Sequence, residues 1–172
     1  MAPRKRKKTG PDPIEAEGLV RRFGDLVAVD GVDLVIEPGE VRLERLIAVD
    51  DAGRILNPLL VDGQRHGGLA QGAAQALYEQ MVYDEEGNPT TSTFAEYAIV
   101  SAAELPTFEL VAQETPTPLN PLGAKGIGES GTIGSTPAVQ NAVVDALAHL
   151  GVQHIDMPCT PERVWRAIRA AD

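Results

Sequence analysis

Apolar and polar residues alternate along "LVAVDGVDLVIEPGE", residues 26–40, on either side of Asp30 and Gly31. The pattern predicts a strand, a turn at the Asp-Gly pair and a second strand. A further extended run, "LERLIAVDDAGRILNP", follows at 43–58 and is stopped by Asn57 and Pro58. From 63 to 81 the period changes, because Leu69, Ala73, Ala76, Leu77 and Gln80 recur at helical spacing while Gly67, Gly68 and Gly72 leave one side almost bare. Each glycine costs a helix about 1 kcal/mol relative to alanine. The bare side therefore predicts a close approach, either by a tightly packed helix or by a ligand. "YDEEGNP" then reads as a surface turn and "FELVAQE", 108–114, as a strand. Thr136 and Pro137 look like an N-cap and first residue for a helix to 150 with Val139, Val143, Val144, Leu147 and Leu150 on its apolar face, and Gly151 stops it. Thr160 and Pro161 repeat that entry for a last helix bearing Val164, Trp165 and Ile168. The pattern is that of an α+β fold.

Composition narrows the chemistry. The chain has 172 residues and 43% hydrophobic content but only 4% aromatic, so its core must rest on Ala, Val, Leu and Ile. Five of the 15 basic residues stand in "RKRKK" at 4–8, leaving 10 against 25 acidic ones in the rest of the chain. An acidic body argues against nucleic acid as its partner, and the basic run reads as a solvated, disordered tail over 1–13. No apolar stretch is long enough for a signal-peptide core or a membrane span, which predicts a cytoplasmic protein. Cys159 is the single cysteine, so this chain alone forms no internal disulfide or cysteine-clustered metal site. Its setting, "MPCTPERVW", suggests a packing role ahead of the last helix. His66, His149 and His154 show no ligand spacing, and no direct metal ligand is expected among these side chains.

The richest candidate chemistry lies in "GAKGIGESGTIGS", 123–135, where five glycines surround Lys125 and Glu129. "GIGESG" matches G-x-G-x-x-G formally, but "TPTPLNPLGAK" precedes it where a dinucleotide site needs a strand. A phosphate loop, G-x-x-x-x-G-K-[ST], is absent. Two readings remain. Glu129 is a solvated residue on a mobile turn, or it is a catalytic carboxylate on a glycine loop that brings main chain close to a bulky cofactor. A buried or partly buried carboxylate with few charges nearby has a raised pKa and serves as a general base near neutral pH.

Three segments favour the second reading. "VDDAGRILNPLLVDGQRHGGLAQGAAQALYE", "ETPTPLNPLGAKGIGESGTIGSTPAVQNAVVDAL" and "IDMPCTPERVWRAI" together resemble the C-terminal part of the molybdopterin-binding large subunit of the xanthine dehydrogenase and aldehyde oxidase family, in its carbon monoxide dehydrogenase-like branch. The resemblance covers about residues 42–170. It implies a molybdenum hydroxylase that oxidises a small substrate (carbon monoxide, an aldehyde or an N-heterocycle) with oxygen from water. The cofactor it implies is molybdenum held by a pterin dithiolene, in the cytosine dinucleotide form. By the same resemblance Glu129 is the general base beside the molybdenum and Gln64 lies by the pterin. Lys125, Gly126 and Gly128 belong to the cofactor-binding loop that delivers the Glu. Iron–sulfur and FAD subunits are the implied partners.

Residues 14–41 look different. "IEAEGLVRRFGDLVAVDGVDLVIEPGEV" resembles the start of an ABC transporter ATP-binding domain, with Phe23 matching the adenine-stacking aromatic, but "RLERLIAVDD" follows where the phosphate loop should stand. ATP hydrolysis is therefore not expected. The expected organisation is a truncated β-rich segment over 14–41, joined near Val41 to a C-terminal fragment of a molybdopterin-binding domain over 42–172. Strands that have lost their own sheet should be loosely held and expose their edges. The contrasting expectation for the whole chain is a noncatalytic interaction or remnant protein whose helices dock on partner subunits.

Overall fold

The computed structural model describes residues 14–23, 26–37 and 39–171. A four-stranded sheet runs in the order β1 (Ile14–Phe23), β2 (Leu26–Glu37), β3 (Glu40–Asp51), β4 (Glu109–Gln113). The first three strands pair antiparallel, and β4 lies parallel to β3. Parallel neighbours need a crossover. It contains α1 (Pro58–Leu77). The chain continues through α2 (Ser130–Ala146), a 3-10 turn at Ala148–Leu150 and α3 (Pro161–Ala171).

The sheet corrects two expectations. Asp30 and Gly31 form no turn: β2 continues through them with a shift of register, Val32 lying opposite Leu19 and Asp30 opposite Val20. Pairing with β1, continued by β3 from Val32 onward, outweighs the local turn propensity. Nor is the 14–41 stretch left without a sheet, because β2 is sandwiched between β1 and β3 and sends Val32, Leu34 and Ile36 into the core. The basic tail, 1–13, and the side chain of Phe23, for which the sequence raised expectations, lie outside the described residues and side chains.

β3 carries the feature that matters most for the site. Its register on β2 passes from Asp33 opposite Arg45 to Leu34 opposite Leu43, so Glu44 is an extra residue on β3. A bulge reverses which side chains face the core. Val41 and Leu43 point inward before it, Leu46 and Ala48 after it. The reversed parity carries on to the end of the strand, so that Asp50 meets α1 and its neighbour Asp51 meets the loops that follow β4.

The helices cover the inward face. Leu69, Ala73, Ala76 and Leu77 of α1 and Val139 and Val143 of α2 are buried, as the periodicity predicts, and so is Leu147, the C-cap residue just past the end of α2. The boundaries differ. Instead of 63–81, α1 begins at Pro58, with Asn57 as its N-cap accepting the Leu60 N–H at 3.2 Å, so the pair read as stopping a strand starts a helix. Gln80 lies beyond its end. Instead of starting at Pro137, α2 starts at Ser130 and contains that proline. Pro137 and Ile133, the residue four before it, are both exposed, so the carbonyl left without an amide donor falls on the solvent side. α3 begins at Pro161 as predicted and buries Val164, while Trp165 stays half exposed under Arg169. The turn at 83–89 forms around Asp84, which accepts N–H groups from Glu86 and Asn88. Cys159 is buried against α1, its N–H donating to Ala76 O at 2.6 Å, and burial pushes its thiol up to about 11. It packs rather than reacts. No helix among the described residues is long and apolar enough to cross a membrane.

Candidate functional site

α1 and α2 meet along small residues. A Cβ on Gly68 would lie 2.9 Å from Thr132 N, one on Gly72 only 1.9 Å from Ser135 Oγ, and one on Gly131 2.9 Å from Arg65 O. No side chain larger than hydrogen fits at these three positions without moving a helix. Hydroxyls tie the same seam: Thr132 Oγ1 donates to Gly68 O at 3.2 Å and Thr136 Oγ1 to Gln75 Oε1 at 3.2 Å. For Gly68 and Gly72, then, the close approach predicted from sequence is another helix. Gly67 meets nothing within 4 Å.

The contacts advance together, Gly68 on Gly131 and Gly72 on Ser135, so the two helices run in the same direction. Gln64 stands one turn before Gly68 on α1, which sets it level with the residues just before Ser130. Glu129 is the N-cap position of α2, and its side chain makes no capping bond. Both side chains are exposed. The structure thus brings the predicted pterin residue and the predicted base to the same end of the helix pair. It also corrects the picture of an uninterrupted glycine loop, since Gly131 and Gly134 belong to α2 and only 123–129 precede it. The burial that a general base needs is not provided by the described residues, because Glu129 is exposed.

Lys125, Gly126 and Gly128 lie where the loop leaves the body. Neither Gly126 nor Gly128 has a neighbour within 4 Å of where a Cβ would stand, so this stretch offers bare, accessible main chain. Lys125 is engaged: its Nζ is 2.8 Å from Asp51 Oδ2 and its N–H donates to Ala52 O at 2.8 Å. The Lys125 ammonium, then the Thr115 N–H, holds the Asp51 carboxyl far below the usual carboxylate range. Asn120 closes the preceding turn, its Nδ2 donating to Ala124 O at 3.0 Å.

Two structural supports of this region escape sequence reading. Arg65 is 3% exposed; its Nε donates to Asp50 Oδ2 at 2.9 Å and its Nη2 to Val111 O at 2.6 Å and Ala48 O at 3.3 Å. It joins α1 to both parallel strands, and its carbonyl is the one against Gly131. Asp51 is the other. The only signal for either was a charge inside an otherwise apolar run, "LIAVDD", and an arginine beside the bare face of a helix.

These residues fit a molybdenum–pterin group in one respect. The first N–H groups of α2 and the Gln64 amide suit the polar edges of a ring system, and Gly126 and Gly128 leave room for it. Among the described residues no three His, Cys, Asp or Glu side chains assemble as a metal cage. His66, His149 and His154 are apart, their rings against Asp62 O, Ala146 O and Asp156 Oδ1.

Comparison with known proteins agrees. Residues 10–106 match the model of the molybdopterin cofactor-binding domain, and that span takes in the whole of 14–41. The chain is 44% identical over 147 residues to the carbon monoxide dehydrogenase large chain of Hydrogenophaga pseudoflava, covering 86% of this chain and 18% of that one. It is 42% identical over 138 residues to the nicotine 6-hydroxylase large subunit of Paenarthrobacter nicotinovorans, covering 80% and 17%. Among solved structures, carbon monoxide dehydrogenase from Oligotropha carboxidovorans superposes with a TM-score of 0.79 at 37% identity, over 82% of this chain and 18% of that one. Quinoline 2-oxidoreductase from Pseudomonas putida 86 gives 0.78 at 38%, over 84% and 19%. The chain spans less than a fifth of the length of each of these relatives. With a matching domain model, relatives well above 30% identity and the same arrangement of sheet and helix pair, the chain belongs to the molybdopterin cofactor-binding domain family of xanthine dehydrogenase-type large subunits.

Proposed function

We propose that this chain supplies the glutamate-bearing part of a molybdenum hydroxylase large subunit acting on a small substrate such as carbon monoxide, an aldehyde or an N-heterocycle. One observation carries the reading: a closely packed pair of helices presents Glu129 and Gln64 at the same end, beside main chain left bare at Gly126 and Gly128. When bound, molybdopterin, in its cytosine dinucleotide form, would supply the two-electron oxidation. Gln64, Gly126 and Gly128 would hold the pterin, and Lys125 begins the same loop. Glu129 Oε accepts the proton released when oxygen from water is transferred to substrate. A base active near neutral pH needs partial burial, so the cofactor and further protein would have to cover Glu129, which is exposed among the described residues. Electrons leave through iron–sulfur and FAD subunits, in a cytoplasmic complex.

The test is metal analysis of the chain purified from its native host, together with a mass by gel filtration. Molybdenum near one per chain, in an assembly far larger than 18.3 kDa, is the expected result. A small metal-free species overturns it. In the loaded complex, Glu129→Gln should abolish hydroxylation at unchanged molybdenum content; full turnover in that variant would refute the base assignment. A second reading, a noncatalytic interaction protein, draws on the exposure of Leu59, Leu60, Phe94 and Leu119. It is the reading that stands if the chain co-purifies with partner subunits and no metal.

A further inference from the structure

The stretch that carries Glu129 is held at two points. At one end Gly131 is pressed onto α1, where an added Cβ would lie 2.9 Å from Arg65 O and 3.0 Å from Gly68 Cα. At the other end everything converges on one carboxylate. Asp51 Oδ1 accepts the N–H of Gly53 at 2.7 Å and of Thr115 at 3.0 Å, and Oδ2 accepts from Lys125 Nζ at 2.8 Å. The end of β3, the segment after β4 and the start of the Glu129 loop are thereby drawn together. Backbone bonds complete the junction: Gly123 O accepts from Arg54 N at 2.9 Å and Thr117 N at 3.1 Å, and Lys125 N donates to Ala52 O. Between the two anchors a Cβ on Gly126 or Gly128 would meet nothing within 4 Å, and glycine has the widest backbone freedom of any residue. The position of Glu129 therefore depends on how firmly the anchors hold.

An exposed lysine–carboxylate pair contributes little when two free side chains must both be ordered to form it. Here two backbone N–H groups have already fixed the carboxylate, so only the lysine loses freedom. The bulge at Glu44 adds a structural reason, because its reversal of parity is what turns Asp51 away from the core and toward Lys125.

We propose that Asp51 and Lys125 form a positioning pair that anchors the Glu129 loop, with Lys125 acting through Asp51 rather than through its own contact with a cofactor. The inference rests on reading Glu129 as the base and goes one step further, to what holds it in place. Its test needs no cofactor, so the two ideas fail separately. In the full chain, hydrogen exchange is followed at the bonded amides of Arg54, Thr117 and Lys125. A nitroxide attached at Glu129→Cys reports loop mobility, with buried Cys159 protected from labelling.

Lys125→Met should raise exchange at these amides about 3- to 5-fold and sharpen the nitroxide spectrum. Lys125→Arg, which keeps the charge opposite Asp51, should restore both, a rescue that general destabilisation would not give. Asp51→Ala, which removes all three acceptor contacts, should exceed either. Amides of the buried halves of α1 and α2 should be unchanged in Lys125→Met. Exchange and nitroxide mobility unaltered by Lys125→Met, or no rescue by arginine, would overturn the proposal; the lysine substitution is at an exposed position, so folding does not obscure the answer.

Discussion

The Arg65 guanidinium is bonded to a carboxylate on β3 and to main-chain carbonyls of both β3 and β4, yet it is almost fully buried. A buried charge deprived of its partner is expensive, and here the loss would fall on the element that carries Gln64 and supports Gly131. Arg65→Met should cost about 3 kcal/mol, read as a lower midpoint in urea unfolding, because Asp50 is left unpaired at the sheet. Asp50→Asn should cost less, since the carbonyl bonds survive. The glycine-rich setting made Glu129 a candidate, and the resemblance added Gln64. They revealed nothing of Arg65 or Asp51, because a charge in a strand looks the same whether it faces water or a buried partner.

Between elements, the α1–α2 seam turns helix propensity upside down. Alanine is normally the better helix former by about 1 kcal/mol. Gly67→Ala, with open space around it, should follow that rule and raise stability by up to about 1 kcal/mol. Gly72→Ala should destabilise by about 1–3 kcal/mol, since its Cβ would collide with Ser135 Oγ and crowd the Thr136 backbone. Thermal melts of the two variants check the pair; equal shifts would mean that the seam yields. The bare face of α1 was legible as a close approach, but sequence alone could not separate a helix partner from a ligand. The boundaries of α2 were misread for the same reason. Thr136 and Pro137 do carry a start signal, but Gly131 and Ser135 find a partner helix that extends the helix upstream of it. The Asp30–Gly31 turn yields in the same way to the pairing of β2 with β1.

Across the molecule, charges set a window of pH. Asp51 is held down first by Lys125, Glu109 by Arg45, Glu104 by Ser101 and Asp84 by Asn88. Each lowered carboxylate contributes stability above its unfolded pKa of about 4, and the contribution is lost as pH falls through the folded value. Cys159 behaves in the opposite sense: its contribution is complete below the unfolded pKa of about 8.5 and is lost as pH rises toward about 11. Melting temperature should therefore be flat between about pH 5 and about 8 and fall on either side. In Asp51→Asn the acid limb should become shallower; an unchanged limb would mean that the ion pair contributes nothing to folding.

The amino-acid sequence by itself determined the class of the fold, the apolar faces of α1 and α2, the start of α3 and the packing role of Cys159. These follow from local periodicity and from side chains that have only one good place to go. Tertiary structure decided the rest. It determined where α2 begins, that β2 lies inside a sheet, and that one extra residue at Glu44 turns Asp50 inward and Asp51 outward. It also decided that Gln64 and Glu129, 65 positions apart in "GQRHGG" and "GIGESG", share one end of a helix pair. Each of those outcomes depends on pairing and close contact between residues far apart along the chain, and a local pattern carries no record of its distant partner.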